Sequence, residues 1–132
     1  MSTPSVVPFL MFTGRAEEAM RFYEKAVPGS QILDVQKWGP GGPGAAGTVK
    51  RATMRIGSQT VMFTDSPPVH GFTFTPSISL FVTCETAAEV DAIFGALSEG
   101  GQVMMPLGAY PFSPRFGWTG DRFGVSWQVS AK

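Results

Sequence analysis

The chain repeats its own pattern after about seventy residues, and that repeat restricts the fold more than any single motif does. Each half reads as an apolar strand, an amphipathic helix, a glycine stop and then hairpin-forming strands. Phe12-Thr13 falls against Val82-Thr83, Met20 against Val90, Tyr23 against Ile93 and Val27 against Leu97. A helix must bury its apolar stripe and a strand its apolar face, so such a unit packs its helix on its own strands, which makes the class α+β.

In the first half, Val6 to Phe12 reads as a strand, nearly continuous in apolar residues and so covered on both faces or lining a cavity. Pro8 belongs at its start or edge. A helix follows from Arg15, capped by Gly14 or Thr13, with Glu17 and Glu18 in its first turn and the stripe Ala16, Met20, Tyr23, Val27. Pro28-Gly29 ends it. Gln31 to Trp38, Thr48 to Ile56 and Thr60 to Thr64 read as strands, the last two joined by Gly57-Ser58-Gln59. Residues 39–47 are glycine, proline and alanine with no side chain to anchor them, and are expected to form a mobile hairpin loop, possible as a lid.

The stretch Asp65 to Pro76 carries Pro67, Pro68, Gly71 and Pro76 and reads as a linker. Module one is then about 1–66 and module two about 77–132 of a single domain. In the second half, Ile78 to Thr83 is a strand, and Thr86-Ala87-Ala88-Glu89 is a capping box opening a helix with Val90, Ile93, Phe94 and Leu97 on one face. Gly100-Gly101 closes that helix. Gln102 to Leu107, Phe116 to Thr119 and Gly124 to Val129 complete the strands, with Asp121 to Gly124 as a hairpin turn.

Ten Lys plus Arg balance ten Asp plus Glu, with no basic run beyond Lys50-Arg51, so nucleic-acid binding is not expected. No apolar run reaches membrane-spanning length. Cys84 is the only cysteine and cannot pair within the chain. With no leader-like N-terminus, a reducing cytoplasm is expected. Only 15% of residues are charged, below the ~25% usual for globular domains, which points to an apolar pocket or partner surface.

Phe9-Leu10-Met11-Phe12 followed by Ala16-Glu17-Glu18-Ala19-Met20 and Phe22-Tyr23 resembles the opening of PhnB-like proteins. Phe74-Thr75-Pro76-Ser77, Met105-Pro106-Leu107, Tyr110, Phe112-Ser113, Arg115-Phe116-Gly117-Trp118 and Asp121 to Gln128 resemble further stretches of that branch, in order. The resemblance is to the glyoxalase/bleomycin-resistance/dioxygenase, or vicinal-oxygen-chelate, superfamily. It implies two βαβββ modules forming curved mixed sheets around a ligand cavity, commonly as a homodimer. The branch also carries the label 3-demethylubiquinone methyltransferase. The sequence lacks the glycine-rich strand-to-helix turn with a downstream acidic residue that nucleoside cofactors use, since no helix follows the glycines at 39–47.

Metal-using members place His, Gln or Glu on the first and last strands of each module. The resemblance puts Pro8, Met62 or Phe63, Ser77 and Gln128 at those positions. A catalytic metal needs about three protein ligands, so neither a metal nor another cofactor is expected. Period-two alternation sets Gln128 and Ser126 on one face and Trp127 on the other, and a polar Gln128 in an apolar cavity would orient a ligand. Trp38 and Trp118 are expected to line that cavity. His70, the only histidine, reads as a loop residue at its rim, or as an acid–base partner of Asp65. Cys84 reads as a buried structural thiol, and Arg115 and Arg122 as solvated or hairpin-stabilising.

Two functions fit these residues: a protein that binds a small organic molecule without a catalytic metal, and an enzyme of lyase, isomerase or dioxygenase type using Gln128, Ser77, His70 or Asp65. A third reading is a remnant whose cavity is filled by Met62, Phe63 and other side chains, since methionine adapts to irregular gaps.

Overall fold

The computed structural model describes residues 2–132, so the first residue of module one lies outside the described residues. The elements run β1 (Phe9–Phe12), α1 (Ala16–Ala26), β2 (Gln31–Lys37), β3 (Val49–Ile56), β4 (Gln59–Asp65), β5 (Ser79–Cys84), α2 (Ala87–Ser98), β6 (Gln102–Tyr110), β7 (Ser113–Gly120) and β8 (Ser126–Ala131). The chain divides into two compact units between Gly71 and Phe72. Each holds one helix and one four-stranded mixed sheet, ordered β1-β4-β3-β2 in the first unit and β5-β8-β7-β6 in the second. In both, the first strand runs parallel to the last, β1 with β4 and β5 with β8, and the remaining pairs are antiparallel. This is the α+β, two-module architecture expected from the repeat.

In the first unit α1 buries Ala16, Ala19, Met20, Tyr23 and Ala26 against the sheet. The stripe expected from helical spacing is therefore the buried one. Beneath it, Phe63 stacks on Phe12 with centroids 5.9 Å apart and meets Tyr23 at 6.2 Å. Strand β4 alternates strictly, Val61, Phe63 and Asp65 buried and Thr60, Met62 and Thr64 half-buried on the opposite face. The first strand is shorter than expected: Val6 is outside it and Phe9 is 55% exposed. As an edge strand, β1 is covered on one face only, which its apolar run does not reveal.

The start of α1 differs from the expected local cap. Arg15 occupies the N-cap position without a side-chain cap, and the orphan donors are met from 49 residues away. Asp65 Oδ1 accepts from Gly14 N at 2.8 Å and Ala16 N at 3.0 Å, while Oδ2 accepts from Val49 N at 2.9 Å. One buried carboxylate thus joins the helix N-terminus to the start of β3.

Residues 39–47 also depart from expectation, because their anchor lies outside the loop. Gly44 is buried flat against the Trp38 indole, so close that any Cβ would collide with the ring. Gly47 N donates to the Trp38 carbonyl at 2.9 Å and Trp38 N to the Thr48 carbonyl at 2.8 Å. The Lys50 ammonium sits 5.7 Å from the indole centroid, within cation–π range. A missing side chain is here what permits packing.

In the second unit α2 buries Val90, Ile93, Phe94 and Leu97, the face expected from spacing. Thr86 and Glu89 form the complete capping box. Thr86→Ala is expected to lower stability by about 1 kcal/mol, read as a shift in the denaturant midpoint at unchanged slope; no shift would mean that water replaces the hydroxyl without loss.

Strands β6 and β7 extend further than expected, to a tight hairpin in which Tyr110 pairs with Ser113. The cause is an aromatic cluster, Phe112 lying 5.6 Å from Tyr110 and 4.8 Å from Phe116. Pro106 is tolerated inside β6 because β6 is an edge strand.

Candidate functional site

Each sheet has one face under its helix and one face turned away. In the second unit, Gly117, Thr119, Trp127 and Val129 face α2. The opposite face is built from alternate residues, Ser79 and Phe81 on β5, Ser126, Gln128 and Ser130 on β8, and Phe116 and Trp118 on β7. Cross-strand register sets Phe81, Gln128, Trp118 and Met105 in one row. None of these side chains carries a charge. Arg115 alternates to the helix side, where it pairs with Asp91 at 2.7 Å.

The polar groups of this row form one network. Trp118 Nε1 donates to Ser126 Oγ at 2.8 Å, Gln128 Nε2 donates to Ser79 Oγ at 3.2 Å, and the two serine oxygens lie 2.6 Å apart. The direction of the serine–serine bond follows from burial. The distance fits either serine as donor, but Ser126 is 2% exposed, and if it received the proton from Ser79, its own hydroxyl hydrogen would have no acceptor among the described residues. Such a buried unsatisfied donor costs about 1–3 kcal/mol. Ser126 is therefore assigned as the donor to Ser79, which leaves the Ser79 hydroxyl hydrogen without an acceptor inside this network. The Gln128 Oε1 has no hydrogen-bond partner among the described residues, and no side-chain nitrogen or oxygen without a partner is buried. The face thus presents one hydroxyl donor beside one amide acceptor, flanked by Phe81 and Trp118.

The residues proposed from sequence are distributed unevenly over the structure. Gln128 and Trp118 pair directly across β8 and β7. Met62 lies on the corresponding open face of the first sheet, where β1 sets Phe9 beside it. Phe63, the alternative to Met62, is fully buried on the helix face and belongs to the core. Ser77 is exposed in the loop before β5, with its nearest polar contact to Thr75 at 3.4 Å; two residues later, Ser79 reaches the open face. Trp38 closes the end of the first sheet, its Nε1 donating to the Asp65 carbonyl at 3.1 Å.

Asp65 is committed to three backbone N–H groups, and the His70 Nε2 lies 3.2 Å from Ser66 Oγ. Asp65 is thus a capping carboxylate, and His70 is a loop imidazole beside a serine hydroxyl. Burial first, and the Glu89 charge second, push the Cys84 thiol pKa up, which disfavours a reactive thiolate. Sequence reasoning missed Ser79 and Phe81; the alternation Ser79-Phe81-Thr83, matched against Ser126-Gln128-Ser130, is the signal that could have found them.

These positions do not fit a divalent cation. By sheet register the paired residues on the first and last strands are Phe9 with Met62 and Phe81 with Gln128, which supply one amide oxygen in all. Among the described residues, no group of three or more His, Cys, Asp or Glu side chains could hold a metal ion. A second hollow lies within the first unit, bordered by Thr13, Gly14, Gly44, Asp65, Ser66 and Pro67. Its volume of about 290 Å3 is at the lower edge of small-molecule sites, and the Asp65 carboxylate at its wall is already occupied.

The family described as 3-demethylubiquinone-9 3-methyltransferase matches residues 4–130. A PhnB protein from Bacillus cereus is 47% identical, with a TM-score of 0.92 over 98% of this chain and 100% of that one. Protein PA1353 from Pseudomonas aeruginosa is 31% identical, with a TM-score of 0.84 over 98% of both chains. A glyoxylase/bleomycin resistance protein/dioxygenase domain from Frankia shares the fold at 12% identity, with a TM-score of 0.69 over 99% of this chain and 98% of that one. No curated protein matches the chain.

Proposed function

Since the chain belongs to the family described as 3-demethylubiquinone-9 3-methyltransferase, the PhnB-like branch of the glyoxalase/bleomycin-resistance superfamily, we propose that it binds a small organic molecule without a catalytic metal. The open face of the second sheet is the site in this reading. The row Phe81–Gln128–Trp118, with its unpartnered amide oxygen between two aromatic rings, is the observation that carries it. Apolar walls with a few fixed polar groups are what small-molecule sites consist of. On the first sheet the corresponding row runs Phe9, Met62, Thr53 and Asp34, so its apolar part is limited to two residues and it ends on a carboxylate.

Methyl transfer is the activity that the family description names, and the first unit's strand-to-helix turn argues against it. Its N–H groups at Gly14 and Ala16 are bonded to Asp65. They are not free for an anionic part of a nucleoside donor. Within the second unit, the row around Gln128 consists of Phe81, Trp118 and Met105, side chains that bind apolar surface and do not move protons, and this supports the binding reading.

Thermal melting against uncharged aromatic compounds, quinones, aromatic antibiotics and methylglyoxal–thiol adducts tests this reading. A compound present at a hundredfold its Kd should add about 2.7 kcal/mol, and Gln128→Leu should diminish the gain while leaving the unliganded melt in place. A panel without any response, or a response unchanged in Gln128→Leu, would remove this face as the site. The protein is a homodimer in this reading, supported by exposed Phe9, Phe72 and Phe112. A monomeric mass in sedimentation would contradict that part alone.

A further inference from the structure

We infer that the ligand of the Gln128 face is an uncharged, flat molecule carrying a hydrogen-bond acceptor and an N–H donor on neighbouring atoms, as a lactam or cyclic amide does. This rests on the binding reading above and specifies its chemistry. Proton direction in the network carries it. Trp118 donates to Ser126 and Gln128 Nε2 to Ser79, and the burial of Ser126 makes it the donor across the 2.6 Å serine pair, whose distance alone fits either direction. Both acceptor sites of the Ser79 oxygen are then filled, and its hydrogen is the free end of the chain.

Beside that donor stands the Gln128 Oε1 acceptor, and the two are tied together because Gln128 Nε2 is bonded to Ser79 Oγ. A ligand satisfying both must present an acceptor to Ser79 and a donor to Gln128 from adjoining atoms. A ketone or quinone meets Ser79 and leaves Gln128 facing apolar surface; an alkylamine meets Gln128 and leaves Ser79 unmatched. A carboxylate places a negative oxygen against the Gln128 oxygen, with no cation in the row to offset it. Chains linked donor to acceptor in this way also polarise one another, so the free Ser79 hydrogen is a better donor than an isolated serine hydroxyl.

The flanking rings specify the body of the ligand. Phe81 and Trp118 stand on the strands either side of Gln128. With neighbouring strands about 4.8 Å apart, they rise roughly 9–10 Å from one another at the backbone, which admits one flat ring system over the amide. The bond from Trp118 Nε1 to Ser126 holds the indole in place for stacking.

The test uses four probes on the full chain, followed by tryptophan fluorescence and calorimetry: 2-quinolone, N-methyl-2-quinolone, 2-methoxyquinoline and quinoline-2-carboxylate. The expected order places 2-quinolone first, with the N-methyl and methoxy compounds each about tenfold weaker for the loss of one matched hydrogen bond, and the carboxylate weakest. Gln128→Leu should remove the difference between 2-quinolone and its N-methyl form, and Ser79→Ala should weaken 2-quinolone while retaining a bonded Ser126–Trp118 pair. Equal binding of 2-quinolone and its N-methyl form by the native protein would overturn the inference, because the amide would then be presenting its NH2 group outward. Preferred binding of the carboxylate would overturn it as well. Either result leaves small-molecule binding at this face standing, whereas silence to all four probes and to the broader panel removes both.

Discussion

Replacing Asp65 with alanine is expected to lower the unfolding free energy by about 4 kcal/mol, measured by urea denaturation. Three backbone N–H groups, those of Gly14, Ala16 and Val49, lose their acceptor at once. Leaving a buried donor unpaired costs about 1–3 kcal/mol, and bonds to a charged acceptor are the stronger kind. Water entering the adjoining hollow keeps the sum below three full penalties. Against a total stability of roughly 5–15 kcal/mol, such a loss brings the domain near unfolding at moderate temperature. Asp65→Asn should fall between the two, because an amide oxygen turned toward α1 retains the Gly14 and Ala16 bonds and places its NH2 against Val49 N. A loss under about 1 kcal/mol in the alanine variant would refute the assignment of Asp65 as the clamp between helix and sheet.

Gly101→Ala is expected to destabilise by about 3 kcal/mol, at the upper end of the range for overpacking. A Cβ there would collide with the Gly120 carbonyl oxygen and stand 2.9 Å from the Asp121 Cα. Both obstacles are backbone, so no side-chain rotation relieves them. The displaced segment leads into Asp121, whose carboxylate accepts from Phe123 N at 2.8 Å, Val125 N at 3.0 Å and Trp127 Nε1 at 2.9 Å. The expected reading is a melting temperature about 10 °C lower. Gly100→Ala makes the contrast: its φ of +74° is the left-handed conformation that ends α2, and alanine there costs about 1–2 kcal/mol. If Gly101→Ala proves the milder of the two, the close approach to Gly120 is not what selects glycine.

The two glycines illustrate what could and could not be read in advance. Gly100-Gly101 is visible as a helix stop, because a local left-handed turn has a local signal. The second glycine's purpose is contact with a strand 19 residues on, which leaves no mark in its neighbours. The same holds at Trp38 and Gly44: the loop looks unanchored when only its own side chains are considered, and the indole that covers it comes from the residue just after β2. An acid–base pair with His70 was one alternative open to Asp65 from sequence; its backbone partners, Gly14, Ala16 and Val49, are distant in the chain and left no local signal. At the candidate site, Gln128 and its face follow from period-two alternation. Ser77 was placed at the site by resemblance, whereas β5 begins at Ser79, one residue after the expected start at Ile78, and it is Ser79 that stands on the face of Gln128.

Alone, the sequence determined the α+β class, the duplication, the two helices with their buried faces and the stops at Pro28-Gly29 and Gly100-Gly101. These depend on burial periodicity and local backbone preference, which act over one or two turns of chain. It also determined the donor chemistry, one histidine and no cluster of metal-binding side chains on the strands that matter. Tertiary structure alone decided that β1 lies beside β4 and β5 beside β8, that Phe63 is core and Met62 is not, and that Ser79, Ser126, Trp118 and Gln128 share one proton network. The reason is physical: alternation says which way a side chain points, while a hydrogen bond across strands depends on which strand is neighbour and in what register.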